Sequence, residues 1–271
     1  MKNVNQMLIF DVDGVITDIE KEIVTEPLIL DYIIKILEKG EPVALNTGRG
    51  IDWTQDAVLI PLKDKIINRN ILEYLFVVAE SGGVTATFDQ NGFLNIKVDE
   101  NLKMPTDLDQ KVRELVKEKY SQSMRYENKK TMITTKIKEG TPVDTYHKDQ
   151  LKIVEDLQKL IDNFGANDRM KTDASTIGTN IMYKTTGKDK GMELILNWIL
   201  QKGIKPQKFI TFGDSLPDIE MAEKLGEEGR NVEFVYVGKN HLKKKYPFPI
   251  IIPKEKYGKG TLEFLKSQYP Q

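Results

Sequence analysis

The chain has 271 residues, and 40 Lys plus Arg oppose 41 Asp plus Glu for a formal charge of −1, so no strong field of one sign draws it to nucleic acid or to an anionic membrane. It contains no cysteine, which excludes disulfides, thiol catalysis and thiolate metal sites. Only two histidines, His147 and His241, are present, so any catalysis falls to carboxylates, hydroxyls and lysines.

The N-terminal part of the chain alternates short apolar runs with longer amphipathic stretches, which is typical of strands and helices around a parallel sheet. Strands are predicted over residues 7–10, 42–46 and 76–79. Helices are predicted over 27–38 and 51–69, the second interrupted or kinked at Pro61. The same alternation resumes at residue 189 and continues through 237, and a last helix is predicted near 260–267.

The middle of the chain has a different pattern. Residues 84–88 and 93–98 alternate in polarity around Asp89-Gln90-Asn91-Gly92, a strong hairpin signal. Helices over 107–120 and 148–164 and strands over 131–137 and within 169–184 follow. We therefore predict an α/β protein, with a Rossmann-like, doubly wound parallel-sheet core formed by residues 1–82 and 187–271. An α+β cap domain, residues 83–186, is inserted into it.

No segment indicates export or membrane insertion. The first residues, MKNVNQMLIF, lack a long apolar region followed by a small-residue cleavage site. The apolar runs are far shorter than the roughly 18 residues needed to span a bilayer. We expect a cytoplasmic protein that acts on a small molecule, without a nucleic-acid or membrane partner.

Acidic side chains follow two of the predicted strands. Asp11 and Asp13 come directly after the first strand and precede Gly14, and Asp214 and Asp218 follow the strand over 209–212. Taken alone, the first pair fits an Asx turn and the second fits helix capping. In an open parallel sheet, however, both sets lie at the strand ends where ligands bind. Their mutual repulsion would be relieved by a hard cation, and Mg²⁺ is the natural candidate because it prefers oxygen ligands.

Two further features suit an anion. Thr47 and Gly48 follow the strand over 42–46, where a hydroxyl and backbone N–H groups could cradle a phosphate, although in isolation a plain turn is the better interpretation. Lys190 stands at the start of the helix over 189–200. A single lysine on a helix is ordinarily solvated. Lys190 is therefore a candidate binding residue only in combination with the other motifs.

Together these motifs resemble, in order and spacing, those of the haloacid dehalogenase superfamily of phosphohydrolases. Asp11-Val12-Asp13-Gly14 is similar to the first motif, Thr47-Gly48-Arg49 to the second, Lys190 to the third, and Gly213-Asp214 with Asp218 to the fourth. The insertion lies between the second and third motifs. Its mixed content is similar to the type IIB cap of Cof-like hydrolases, sugar-phosphate phosphatases and phosphomannomutases.

The resemblance implies a mechanism. Asp11 would be the nucleophile that forms an aspartyl phosphate, and Asp13 would act as general acid and base. Mg²⁺ would be held by Asp11, the backbone carbonyl of Asp13 and Asp214, with Asp218 as a ligand or an orienting group. The phosphoryl oxygens would be bound by Thr47, Gly48 and Lys190.

We therefore expect a Mg²⁺-dependent phosphatase that hydrolyses a small phosphate monoester, with a sugar phosphate as the leading candidate. Three alternatives stay open. A phosphomannomutase-like enzyme would return the phosphoryl group to a sugar, a phosphoglycolate phosphatase would differ in substrate, and a catalytically silent relative would only bind a phosphate ligand. The sequence leaves the substrate and the oligomeric state undetermined.

Overall fold

The computed structural model describes residues 1–175, 177–242 and 245–270, which form two compact units. The core unit comprises Met1–Lys97 and Gly187–Gln271, and the inserted unit comprises Val98–Thr186. The strands are β1 Lys2–Phe10, β2 Val43–Asn46, β3 Leu75–Ala79, β4 Val84–Phe88, β5 Leu94–Val98, β6 Met124–Glu127, β7 Ile133–Ile137, β8 Met170–Ala174, β9 Gly178–Tyr183, β10 Ile204–Gly213, β11 Val232–Tyr236 and β12 Ile250–Ile251.

The α-helices are α1 Leu28–Glu38, α2 Ile51–Thr54, α3 Ile60–Asp64, α4 Thr106–Leu115, α5 Val143–Asn163, α6 Lys188–Gln201, α7 Ile219–Glu227 and α8 Tyr257–Gln268. A π-helical turn, Gln55–Leu59, joins α2 to α3 just before Pro61. Proline has no N–H to donate, so the wider turn accommodates the interruption predicted there. None of the helices that the structure describes is long and apolar enough to cross a membrane.

An eight-stranded sheet forms the centre of the core unit, in the order β12-β11-β10-β1-β2-β3-β4-β5. The six strands from β12 to β3 pair in parallel. Parallel strands are buried on both faces, which explains why the apolar run Met7 to Phe10 is continuous and wholly inaccessible. The predicted α/β class is confirmed.

Alternate side chains of the central strands pack on opposite faces of this sheet. Phe10 stacks on Phe212 of β10 at 4.4 Å between ring centroids, and Phe212 meets Phe264 of α8 edge to face at 5.3 Å. Met7 and Ile9 point the other way, into a core that also contains buried residues of α6 and α7. Helices therefore cover both faces, as a doubly wound sheet requires.

The hairpin over residues 84–98 corrects one expectation. Its polarity pattern predicts the start of the inserted domain at residue 83, but β4 pairs antiparallel with β3 and β5 continues the core sheet beyond it. The inserted unit consequently begins at Val98 and ends at Thr186. The reason is that an alternating strand is equally suited to the edge of an α/β sheet, where one face is exposed.

The inserted unit has its own sheet and core. Its four strands are antiparallel in the order β6-β7-β9-β8. The helices α4 and α5 contribute to a separate apolar cluster in which Tyr146, Ile153 and Leu157 of α5 are fully buried. Because this cluster lies wholly within Val98–Thr186, the unit has the organisation of an α+β domain.

Candidate active site

The candidate site lies at the carboxyl ends of the central parallel strands. Phe10 of β1 is in register with Phe212 of β10 on one side and with Leu45 of β2 on the other. The residues that follow these strands, including Asp11, Thr47 and Asp214, therefore emerge at one edge of the sheet. Loops at this edge are where α/β proteins bind their ligands.

The loop after β1 is held by its own backbone. Asp11 N–H donates to the carbonyl of Phe212 at 3.0 Å, and Gly14 N–H donates to the carbonyl of Thr17 at 2.8 Å. Gly14 adopts a φ of 71°, a left-handed conformation that glycine enters without strain. The loop thus reverses tightly and keeps the Asp11 carboxylate at the sheet edge, with 7% of the residue exposed.

Asp11, Asp214 and Asp218 form an acidic cluster. Each offers a carboxylate oxygen, and the three oxygens lie within 4.8 Å of one another. Asp218 is oriented by its surroundings, since its Oδ2 accepts hydrogen bonds from the backbone N–H of Ser215 at 3.0 Å and from the Ser215 hydroxyl at 2.6 Å. Three converging carboxylate oxygens are a donor set that suits a hard divalent cation.

A buried lysine completes this cluster. The Nζ of Lys188, the first residue of α6, lies 2.5 Å from Oδ1 of Asp11 and 2.9 Å from Oδ1 of Asp218. It also donates a hydrogen bond to the backbone carbonyl of Asn46 at 2.7 Å. The ammonium group therefore bridges two carboxylates and fixes them relative to the end of β2.

Burial and charge together perturb the titration of these groups. Desolvation, partly opposed by Lys188, raises the pKa of Asp11 well above its usual range. Burial and the neighbouring Asp218 raise the pKa of Asp214 to about 7. Burial alone would lower the pKa of Lys188, but the Asp11 and Asp218 carboxylates outweigh it and raise that pKa. Perturbed pKa values of this kind are typical of functional sites.

Of the two lysines at the start of α6, Lys188 contacts the acidic cluster, whereas Lys190, the residue expected from the sequence, does not. Lys190 makes an ion pair with Glu193 of its own helix at 3.3 Å, and its side chain is one-third exposed. Positions two apart on an α-helix point in widely different directions, so both lysines cannot face the cluster. The spacing in the sequence located the start of the helix correctly but not the side of the helix that faces Asp11.

Thr47 lies in a tight turn after β2. Its backbone N–H donates to the carbonyl of Val78 at 2.9 Å, and its hydroxyl accepts a hydrogen bond from the Arg49 N–H at 3.1 Å. A β-carbon on Gly48 would make only an ordinary contact, 3.4 Å from the Ser81 hydroxyl oxygen. The turn is held by the two hydrogen bonds of Thr47, whose side chain is fully buried at the sheet edge.

Asp13 is paired with an arginine. The Nε and Nη2 of Arg49 each lie 2.7 Å from an oxygen of Asp13, a bidentate pair. Arg49 also contacts Glu22 at 3.3 Å and stacks over the Trp53 ring at 4.2 Å. The sequence suggested only that Arg49 braces the loop, and it did not identify Glu22 or the pairing with Asp13, since no local pattern connects residues this far apart.

Comparison with known proteins supports the fold. No protein-family model matches the chain, and no curated protein matches it either. Among solved structures, the C-terminal domain of a Candida albicans trehalose-6-phosphate phosphatase is 17% identical with a TM-score of 0.65, over 97% of this chain and 92% of that one. A trehalose-6-phosphate phosphatase related protein is 14% identical with a TM-score of 0.62, over 97% and 96% of the two chains.

A Plasmodium falciparum IMP-nucleotidase, truncated at its N-terminus, is also similar. It is 15% identical with a TM-score of 0.56, over 97% of this chain and 70% of that one. At these identities the similarity establishes a shared fold and nothing more. The chemistry of this chain has to be argued from its own residues.

Proposed function

We propose that the protein is a Mg²⁺-dependent phosphatase that hydrolyses a small phosphate monoester through an aspartyl phosphate on Asp11. The observation that carries the proposal is the convergence of the Asp11, Asp214 and Asp218 carboxylates, of which Asp11 and Asp218 pair with the ammonium group of Lys188. A carboxylate nucleophile, a donor set for a divalent cation and a buried positive charge are the components that phosphoryl transfer requires.

The three clustered carboxylates, with the backbone carbonyl of Asp13, are the residues that would hold Mg²⁺. The residues fit the ion, because their oxygens already converge and because Asp214, with its raised pKa, carries an unfavourable charge that a cation would compensate. When bound, Mg²⁺ supplies positive charge that offsets the negative phosphoryl oxygens.

The proposed reaction has two phosphoryl-transfer steps. An oxygen of Asp11 attacks phosphorus while the bond to the ester oxygen breaks, and Asp13 donates a proton to the departing alkoxide. Asp13 then removes a proton from a water molecule, whose oxygen attacks the same phosphorus. The bond from phosphorus to Asp11 breaks, which releases inorganic phosphate and regenerates the carboxylate.

The phosphoryl group needs fixed donors as its charge redistributes. We assign this role to the Thr47 hydroxyl, the Gly48 backbone N–H and the Lys188 ammonium group. Lys188 is preorganised, since it is already held among Asp11, Asp218 and the carbonyl of Asn46. Donors that need no reorganisation stabilise a transition state most effectively.

A sugar phosphate is the substrate class that we favour. The inserted unit separates the Thr47 turn from α6 in the sequence, where the resemblance places a type IIB cap of the Cof-like subgroup. One of the similar structures is, by its name, a domain of a trehalose-6-phosphate phosphatase, and another is named as a protein related to such a phosphatase. The similarity to an IMP-nucleotidase makes nucleoside monophosphates the necessary comparison.

The test is phosphate release from p-nitrophenyl phosphate, hexose phosphates, trehalose 6-phosphate, phosphoglycolate and inosine monophosphate, each with Mg²⁺ or with EDTA. We expect Mg²⁺-dependent release that is highest with a sugar phosphate and absent in D11N. Full activity in D11N or in EDTA would refute the mechanism. Isomerisation of a hexose phosphate without phosphate release would indicate a mutase, and ligand-induced thermal stabilisation without turnover would indicate a binding protein.

A further inference from the structure

Asn46 contacts both the backbone and the side-chain ammonium group of Lys188. It is the last residue of β2 and is fully buried. Its side-chain Nδ2 donates to the backbone carbonyl of Lys188 at 2.9 Å, and its own backbone carbonyl accepts the hydrogen bond from the Lys188 ammonium group at 2.7 Å. One residue therefore fixes where the lysine side chain begins and where it ends.

The Asn46 side chain packs closely against the start of α6, where Gly191 leaves room for it. A β-carbon on Gly191, in the first turn of that helix, would overlap the Oδ1 of Asn46 and lie 2.6 Å from its Cγ and Nδ2. Glycine costs helix stability relative to alanine. Its presence at this position lets the amide approach the helix backbone and reach the Lys188 carbonyl.

The hydrogen bond from Asn46 is not an ordinary helix cap. The first residues of a helix lack partners for their N–H groups, whereas their carbonyls are satisfied within the helix. Asn46 donates to a carbonyl, which the helix start does not require. Its Oδ1 is buried and accepts no hydrogen bond from the residues that the structure describes. An apolar side chain would avoid that cost, so packing alone does not explain an asparagine.

We propose that Asn46 is a positioning residue that sets the Lys188 ammonium group between Asp11 and Asp218. The inference rests on the proposed function, in which Lys188 binds the phosphoryl group. Because Thr47 follows Asn46 directly, the same residue links the phosphate-binding turn after β2 to the phosphate-binding lysine of α6. Without the amide, the start of α6 and the Lys188 side chain would be free to shift slightly. Small displacements of catalytic groups lower the reaction rate strongly.

The test compares N46A, K188M and the double variant N46A/K188M. We expect N46A to lower kcat on the order of 10²-fold with a smaller change in KM. The double variant should be no slower than K188M. Calorimetry with inorganic phosphate and Mg²⁺ gives a second readout, in which N46A should bind phosphate more weakly than the wild type and N46A/K188M no more weakly than K188M. T135V is the control, because it removes a buried side-chain donor to a backbone carbonyl in the inserted unit and should leave kcat unchanged.

The glycine offers an independent check. G191A should lower kcat as N46A does, whereas N46A/G191A should match N46A alone because the space is vacated. If N46A does not fold, N46S and G191A provide the same comparison. Wild-type kcat in N46A beside an impaired K188M would overturn the role of Asn46 alone. So would a further tenfold loss in N46A/K188M. An unimpaired K188M would instead overturn the proposed role of Lys188, and the positioning role with it.

Discussion

A β-carbon on Gly14 would lie 2.5 Å from Oδ2 of Asp214, closer than such atoms approach one another in proteins. Gly14 also adopts a φ of 71°. The glycine after Asp13 therefore serves two purposes. It turns the loop after β1, and it leaves room for a carboxylate supplied from the other end of the chain.

The first prediction follows from this contact. We expect G14A to displace Asp214, to weaken Mg²⁺ binding and to lower kcat on the order of 10²-fold. Backbone strain should reduce stability by about 1–3 kcal/mol. G203A is the matched control, since Gly203 has a φ of 66° and an added β-carbon would meet nothing within 4 Å. Thermal unfolding and Mg²⁺-dependent kinetics distinguish the two variants, and equal loss of activity in both would contradict the prediction.

The second prediction separates the two lysines of α6. K188M removes the group that bridges Asp11 and Asp218, so we expect a loss of kcat of at least about 10²-fold, the scale for removing one preorganised donor. K190M removes only an exposed ion pair with Glu193, and such pairs contribute about 0–1 kcal/mol. Steady-state kinetics of both proteins provide the measurement. A larger loss in K190M would restore the expectation drawn from the sequence.

The lysine that contacts the acidic cluster could be predicted from the sequence only to within two residues. The order of motifs predicts that Lys190, near the start of this helix, reaches the site, whereas in the structure the helix begins at Lys188 and the Lys188 side chain contacts Asp11. Helix boundaries read from a sequence are uncertain by one or two residues, and a shift of two residues changes the face that a side chain occupies. The sequence did contain a signal for Lys188, because Gly187-Lys188 directly precedes residue 189, at which the α/β pattern resumes.

The acidic cluster was more accessible to prediction than the extent of the core sheet. Asp11 and Asp214 follow buried apolar strands, and parallel strands of this kind end at one edge, so their convergence depends only on the strand pattern. The position of the β4–β5 hairpin depends instead on the strand with which it pairs, which is β3 of the core sheet. Alternation of polarity is a local property and contains no information about that partner.

The third prediction concerns pH. Burial and Asp218 raise the pKa of Asp214 from 3.8 to about 7 in the folded protein without metal. Between these values the folded state binds a proton that the unfolded state does not, so stability falls as pH rises through this range. The pKa of Asp11 is raised as well and acts in the same direction. We therefore expect the metal-free protein to unfold at a lower temperature near pH 8 than near pH 5.5.

Mg²⁺ competes with these protons, which gives the fourth prediction. The ion should raise the unfolding temperature more near pH 8 than near pH 5.5, because at the lower pH it must displace bound protons. Differential scanning fluorimetry with Mg²⁺ and with EDTA measures both effects. D214N should raise the stability of the metal-free protein near pH 8 and reduce its response to Mg²⁺. Equal stabilisation by Mg²⁺ at the two pH values would be inconsistent with a metal site at this cluster.

The last prediction uses the leaving group to isolate Asp13. R49K keeps a positive charge but cannot form the two parallel hydrogen bonds that Arg49 makes with Asp13, so the carboxylate loses its fixed orientation. If Asp13 protonates the leaving group, kcat for a sugar phosphate should fall at least about tenfold, part of the gain typical of acid catalysis. For p-nitrophenyl phosphate the loss should be smaller, since nitrophenolate departs without a proton. K65M, which breaks the exposed Lys65–Asp31 pair, is the control and should not affect either substrate. An equal loss on both substrates in R49K would show that Arg49 does not act through the proton that Asp13 donates to the leaving group.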